Sequence, residues 1–157
     1  MFKVSRRVDY GLRLLIALAS EPNMGPQATA VLAEKLDIPL AFLHQIGRSL
    51  IQAGFLKASP GPGGGLRLNR SPDTISLRQV LEVLEGPIRL NNSPDASEES
   101  ETELPSSTQP IWDEIQNQLV NHLDRIYIHG LAKPGTNGSS GILSFSEFST
   151  QSKPIAA

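Results

Sequence analysis

The sequence predicts a mainly α-helical fold: two short helices joined by a tight turn, a two-stranded hairpin directly after them, and a long helix further on. Three observations carry that expectation. Apolar residues recur at helical spacing in five separate stretches. The stretch DIPLAFLHQIGRSLIQAGFLKASPGPGGGLRL, Asp37 to Leu68, reads as a helix, a glycine stop, a strand, a glycine-rich turn and a second strand. The segment from Asn91 to Pro110 is acidic, Ser-rich and nearly devoid of apolar side chains, which separates the last helix from everything before it.

In chain order, Ser5 can cap a helix running to Ser20, with Val8, Leu12, Leu15, Ile16 and Ala19 as its apolar stripe. Asp9 and Arg13 lie one turn apart on its polar side and can support each other. Arg6 and Arg7 sit in the first turn, where cations oppose the helix dipole. They are either phosphate contacts or solvated surface arginines. Prolines and a glycine mark a loop over Glu21–Pro26, and Ala28–Leu36 is a short helix with Ala28, Leu32 and Leu36 on one face. Asp37 and Ile38 make the turn, and Pro39 suits the first position of a helix reaching about Gln52 that buries Leu43, Ile46, Leu50 and part of Ile51. Two short helices around a tight turn form a helix-turn-helix, whose second member is the usual groove reader.

Gly54 stops that helix, and Phe55–Ala58 and Leu66–Leu68 are the strands of a hairpin, or wing. Its turn, SPGPGGG, allows backbone conformations open to glycine alone. A phosphate-cradling P-loop is excluded, because Gly65 is followed by Leu-Arg-Leu and not by Lys-Ser/Thr opening a helix. After a break at Ser71-Pro72-Asp73, Ser76 and Gln79 have capping-box spacing for a helix with the stripe Leu77, Val80, Leu81 and Leu84, ended by Gly86-Pro87. Ile111 to about His129 is helical again, with Trp112, Ile115, Leu119, Leu123 and Ile126 in steps of three and four. A helix of that kind beyond a disordered linker needs a packing partner, and a second subunit is the expected one. The tail from Lys133 is rich in Gly, Ser and Thr and is expected to be mobile, or at most to dock a small patch.

The net charge of −2 conceals a division. Residues 1–90 hold eleven Lys/Arg against seven Asp/Glu, a net of +4, and residues 91–157 hold three against nine, a net of −6. Such asymmetry suits a DNA-contacting module with a separate acidic region. The absence of cysteine excludes disulfides, thiolate-held zinc and ordinary iron–sulfur ligation. No apolar run is long enough to cross a bilayer, and Asp9 and Arg13 interrupt the stretch a signal peptide would need, so a cytoplasmic protein is expected. No convergent nucleophile and base can be found, which argues against an enzyme.

The opening VSRRVDYGLRLLIALA, the helix pair ATAVLAEKLDIPLAFLHQIGRSLIQAGFLKAS, the wing GPGGGLRL and the segment ISLRQVLEVLEGP, in this order, support a family name. From about Phe2 to Leu131 the chain resembles the bacterial winged helix-turn-helix regulators typified by the iron–sulfur cluster regulator and the cysteine-metabolism repressor (IscR/CymR). The resemblance implies a homodimer whose long helix crosses to the partner, bound to a pseudo-palindromic operator on double-stranded DNA, and most simply a repressor. The recognition surface it implies is Pro39, Leu40, Ala41, Phe42, His44, Gln45 and Arg48, with Ser5, Arg6 and Arg7 on phosphate. In the wing it implies Gly61, Gly63, Gly64 and Gly65, with Arg67 standing in part for the arginine that many relatives carry where this chain has Pro60. Pro39 and Ala41 replace residues that are often hydroxylic in relatives, leaving an unusually apolar reading head.

Many relatives hold an iron–sulfur cluster on three cysteines in the stretch matching Leu90–Pro110, which here contains none. Asp9 matches the position of a carboxylate ligand in some of them, yet without thiolates its expected role is a partner for Arg13 or for the other subunit. His122 and His129, seven apart on one predicted helix, could be a metal pair but read more simply as surface or interface residues. The expectation is therefore a regulator with no cofactor and no metal. Its expected domains are a winged helix-turn-helix domain over 1–88, an acidic linker over 89–110, a dimerisation helix over 111–131 and a tail over 132–157. The competing function is a protein-interaction module whose winged helix docks a metabolic enzyme or another regulator, and a protein co-regulator is compatible with both readings.

Overall fold

Ser5 is extended and its hydroxyl accepts the Val8 amide at 3.3 Å, so helix α1 (Arg6–Ala19) begins where the capping residue predicts. The computed structural model describes residues 5–21, 23, 25–90 and 109–132, so most of the expected linker and nearly all of the expected tail lie outside the described residues. The buried face of α1 is Val8, Gly11, Leu14, Leu15 and Leu18. The expected stripe is thereby rotated, with Leu12, Ile16 and Ala19 only half-buried. Gly11 is the reason: the Leu84 side chain occupies the space that a Cβ there would need, so α1 turns its glycine toward the later helix.

Helix α2 (Thr29–Leu36) ends at Asp37, which adopts the left-handed region at φ 52° and donates its amide to the Glu34 carbonyl. Aspartate is one of the few residues that tolerate that conformation. Ile38 is buried and anchors the turn, while Pro39 flanks helix α3 (Leu40–Gln52) as its N-cap and not as its first helical residue. Helix α3 buries Leu43, Ile46, Gly47 and Leu50, and Ile51, expected to be partly inside, is exposed. At its end Gly54 (φ 75°) gives its amide to Ile51 and Phe55 gives its amide to Leu50, a Schellman stop.

Strands β1 (Leu56–Ser59) and β2 (Gly65–Leu68) pair antiparallel with Leu56 opposite Leu68, Lys57 opposite Arg67, Ala58 opposite Leu66 and Ser59 opposite Gly65. Gln27 extends this ribbon by exchanging two 2.8 Å backbone bonds with Leu66. Phe55, Leu56, Leu66 and Leu68 are buried, which roots the wing in the helical core. A 3₁₀ turn at Pro72–Thr74 leads to helix α4 (Leu77–Glu85), whose Ser76–Gln79 capping box forms as the spacing predicts. Val80 and Leu84 are buried, whereas Leu77 and Leu81 are half-buried.

The expected single helix from Ile111 to His129 is two helices, α5 (Gln109–Asp124) and α6 (Ile128–Ala132). Between them the backbone runs beside Ile75–Leu77: the Leu77 amide donates to the Ile126 carbonyl at 2.7 Å and the Ile128 amide to the Ile75 carbonyl at 3.0 Å. Those bonds, with Ile128 fully buried in the core, outweigh continuation of the helix. Ile126 is therefore off the stripe that Trp112, Ile115, Leu119 and Leu123 form. His122 and His129 consequently lie on different helices, which removes the shared helix face expected of them. No helix among the described residues is long and apolar enough to cross a membrane.

Candidate nucleic-acid interface

Leu43, Ile46, Gly47 and Leu50 fix the inner side of α3. That rotation leaves Pro39, Leu40, Ala41, Phe42, His44, Gln45 and Arg48 exposed, so all seven residues expected to read DNA face solvent at or along one helix. Phe42, 36 % exposed, meets the Tyr10 ring edge-on at 5.6 Å between centroids. The Arg13 guanidinium lies 5.9 Å from the centre of the same tyrosine ring and pairs with Asp9 at 2.9 Å. Phe42 is thus braced from α1 and is not a loose apolar side chain. Sequence reasoning missed Tyr10, because the contact joins two helices thirty-two positions apart and leaves no local spacing signal.

The three residues expected on phosphate separate into different roles. The Ser5 hydroxyl accepts from the Val8 amide and donates to Glu85. Arg7 reaches across to α3, its Nη2 donating to Ser49 Oγ at 2.8 Å, while its buried Nε finds no acceptor. Arg6 is exposed and has no ion-pair partner among the described residues. Of these three residues Arg6 is the cation left unpaired among the described residues, and Arg7 joins the start of α1 to α3.

The wing glycines also divide. Gly61 (φ 88°) and Gly63 (φ 75°) border open space at the tip and serve its backbone turns. A Cβ at Gly64 would overlap the Ser59 carbonyl and one at Gly65 the Gln27 carbonyl, so the close approach at these two is to the chain's own backbone. The register places Lys57 directly across from Arg67, two cations facing each other where like charges ordinarily repel. The Arg67 Nε is buried without an acceptor, and neither Lys57 nor Arg67 has an ion-pair partner among the described residues. Lys57 was not among the residues expected from sequence; its signal was the strand register, which the turn length alone does not fix. Pro60 is exposed just past the end of β1.

Between α3 and the wing lies a cleft of about 400 Å³, with Gly47, Ile51, Ala58 and Leu66 as its apolar walls and His44 and Arg48 as its basic ones. Helix α5, packed on α4, presents Ile111 (58 % exposed), Trp112 (48 %) and Ile115 (43 %), while Leu119 is half-buried and Leu123 buried. Metal-binding chemistry finds little to use. The chain has no cysteine, Asp9 is committed to Arg13, and no group of three or more His, Asp or Glu suited to a metal occurs among the described residues.

Comparison with known proteins agrees with this geometry. Residues 4–134 match the family model Rrf2, described as an iron-dependent transcriptional regulator. The chain is 32% identical to the HTH-type transcriptional regulator CymR of Bacillus subtilis over 130 residues, 83% of this chain and 89% of that one. It is 25% identical to the HTH-type transcriptional regulator IscR of Aliivibrio salmonicida, covering 79% and 73% of the two chains. The solved structure of B. subtilis CymR, called the global cysteine regulator, superposes with a TM-score of 0.68 at 32% identity, over 84% of this chain and 97% of that one. The T. potens IscR structure gives 0.65 at 27% identity, over 83% and 86%. The fold is the winged helix of these regulators, and the chain belongs to the Rrf2 family of transcriptional regulators, not to a family of enzymes.

Proposed function

We propose that this protein is a sequence-specific DNA-binding repressor, acting as a homodimer on a pseudo-palindromic operator and working without an iron–sulfur cluster. The observation that carries the reading is the exposed face of α3 beside a wing whose two facing cations have no ion-pair partner among the described residues. In the major groove, Gln45 is the residue to pair with adenine, Arg48 to meet guanine or phosphate, and Ala41 and Phe42 to touch thymine methyl groups. Arg6, Lys57 and Arg67 hold the backbone, which positions the reading helix without specifying sequence. Two copies joined through the apolar side of α5 set two reading heads in successive major grooves. A dimer seated over promoter DNA would keep the polymerase off it, which is how the proposed repressor would act.

The cluster-free assignment rests on donor chemistry. Clusters of this type need several thiolates, the sequence has none, and Asp9 alone is already ion-paired. A mobility-shift assay with promoter DNA tests the main reading: a salt-sensitive, sequence-preferring shift is expected, and its absence contradicts the proposal. An anaerobically purified sample should show no visible cluster absorption band.

A second reading, a module that docks another protein through the winged helix, draws on the apolar Leu40 and Phe42 at the reading head and on Pro60 in the wing. A stoichiometric protein partner captured by a chain that has no DNA affinity would favour it.

A further inference from the structure

Ser76 is the only buried polar residue among those described, and it lies where α4 begins, beside the point where α5 ends. Its hydroxyl accepts from the Gln79 amide and donates to Asp124 Oδ1, both at 3.3 Å, longer than a well-formed hydroxyl bond. The other carboxylate oxygen of Asp124 pairs with Arg78 at 2.8 Å, and Arg78 pairs in turn with Glu82 at 2.9 Å. The bonds to Asp124 and then Glu82 hold the Arg78 guanidinium's pKa above the ordinary arginine value. Beside this network opens a polar cleft of about 450 Å³, walled by Thr74, Gln79, Asn121, Asp124, Arg125 and Tyr127. Its size falls within the roughly 300–1,000 Å³ of small-molecule sites. The side chains of Asn121, Arg125 and Tyr127 have no hydrogen-bond or ion-pair partner among the described residues.

We infer that this cleft binds a small carboxylate that also carries a hydrogen-bond donor, the chemical class that includes free α-amino acids. The unpaired Arg125 guanidinium takes the carboxylate as a planar two-point contact, assisted by the Asn121 amide and the Tyr127 hydroxyl. The donor goes to Asp124 Oδ1, whose present bond to Ser76 is long and easily replaced. A singly charged ligand suits the site better than a phosphate dianion, because the Asp124 carboxylate lines the same cleft as Arg125. Binding there bears on the joint between α5 and the winged domain, since Asp124 is tied to both Ser76 and Arg78 of the α4 segment. A ligand that favours one setting of this joint shifts the spacing of two reading heads, and with it DNA affinity. That regulatory half rests on the DNA-reading proposal; the binding half does not.

The test uses the full-length, ¹⁵N-labelled chain without DNA, titrated separately with each common L-amino acid, with succinate and with inorganic phosphate. At least one carboxylate should shift the amide resonances of Thr74, Gln79, Asn121 and Tyr127 at millimolar concentration. Its carboxamide counterpart should not. R125Q, a change at an exposed residue, should abolish the shifts while leaving the rest of the spectrum in place. Silence from every carboxylate, shifts that persist in R125Q, or an equal response to phosphate would overturn the assignment. With a binding compound in hand, operator affinity should change by about fivefold or more. Unchanged affinity on a chain that still binds operator would overturn the regulatory half and leave the site standing.

Discussion

Gly63 and Gly65 are two positions apart in one glycine-rich turn, yet they face different constraints. At Gly63 only the backbone conformation (φ 75°) resists a side chain, whereas at Gly65 a Cβ would also collide with the Gln27 carbonyl. Gly63→Ala should cost about 1 kcal/mol and Gly65→Ala about 2–4 kcal/mol, read from the midpoints of urea unfolding. Equal, small losses would mean that the Gln27 contact is easily displaced. At the reading helix, Arg48→Ala should weaken operator binding by about 10- to 100-fold while leaving the unfolding midpoint nearly unchanged. Binding data and unfolding curves on one preparation separate the two effects. Lys57→Ala should weaken binding to all DNA sequences alike, as a phosphate contact does. At this scale the sequence was informative wherever local spacing decided the outcome, as at Ser5, Gly54 and the Ser76–Gln79 box. Contacts between elements, such as Phe42 on Tyr10 or Lys57 opposite Arg67, have no local spacing and became visible only in the fold.

Elements were legible in kind and less so in extent or rotation. Helix α1 carries apolar residues around much of its circumference, so several stripes fit the sequence equally well. What selects the real one is Gly11, against which Leu84 packs. The end of α5 at Asp124 is hidden in the sequence for a related reason. Leu123, Ile126 and Ile128 continue a helical rhythm, but backbone bonds to Ile75 and Leu77 take residues 126–128 out of the helix. Ser76→Ala should lower stability by about 1 kcal/mol in chemical unfolding, through loss of the cap on α4. On α5, replacing Trp112 and Ile115 together by Asp should convert a dimer into monomers in sedimentation velocity. The helix-turn-helix should keep its fold in that variant, since both side chains are exposed in the single chain. A variant that stays dimeric would place the subunit interface elsewhere.

Across the whole molecule, charge and apolar surface are distributed in a way that gives each half a task. The first 90 residues carry the net +4 and helix α3, and α5 carries an uncovered apolar patch of Ile111, Trp112 and Ile115 in addition to the apolar residues that α3 exposes. A monomer offers one short reading helix and a handful of phosphate contacts, too little to select a site among genomic DNA. In the proposed dimer, joining two chains through α5 would double the contacts and turn a loose preference into a spaced pair of half-sites. The central claim is therefore that two α3 helices read DNA together. Selection of binding sites from a random-sequence DNA pool by the full-length protein tests it most directly. The account predicts enrichment of one pseudo-palindrome, with half-site centres about 10 base pairs apart, bound by two chains. Recovery of unrelated sequences, or of a single half-site bound by one chain, would contradict it.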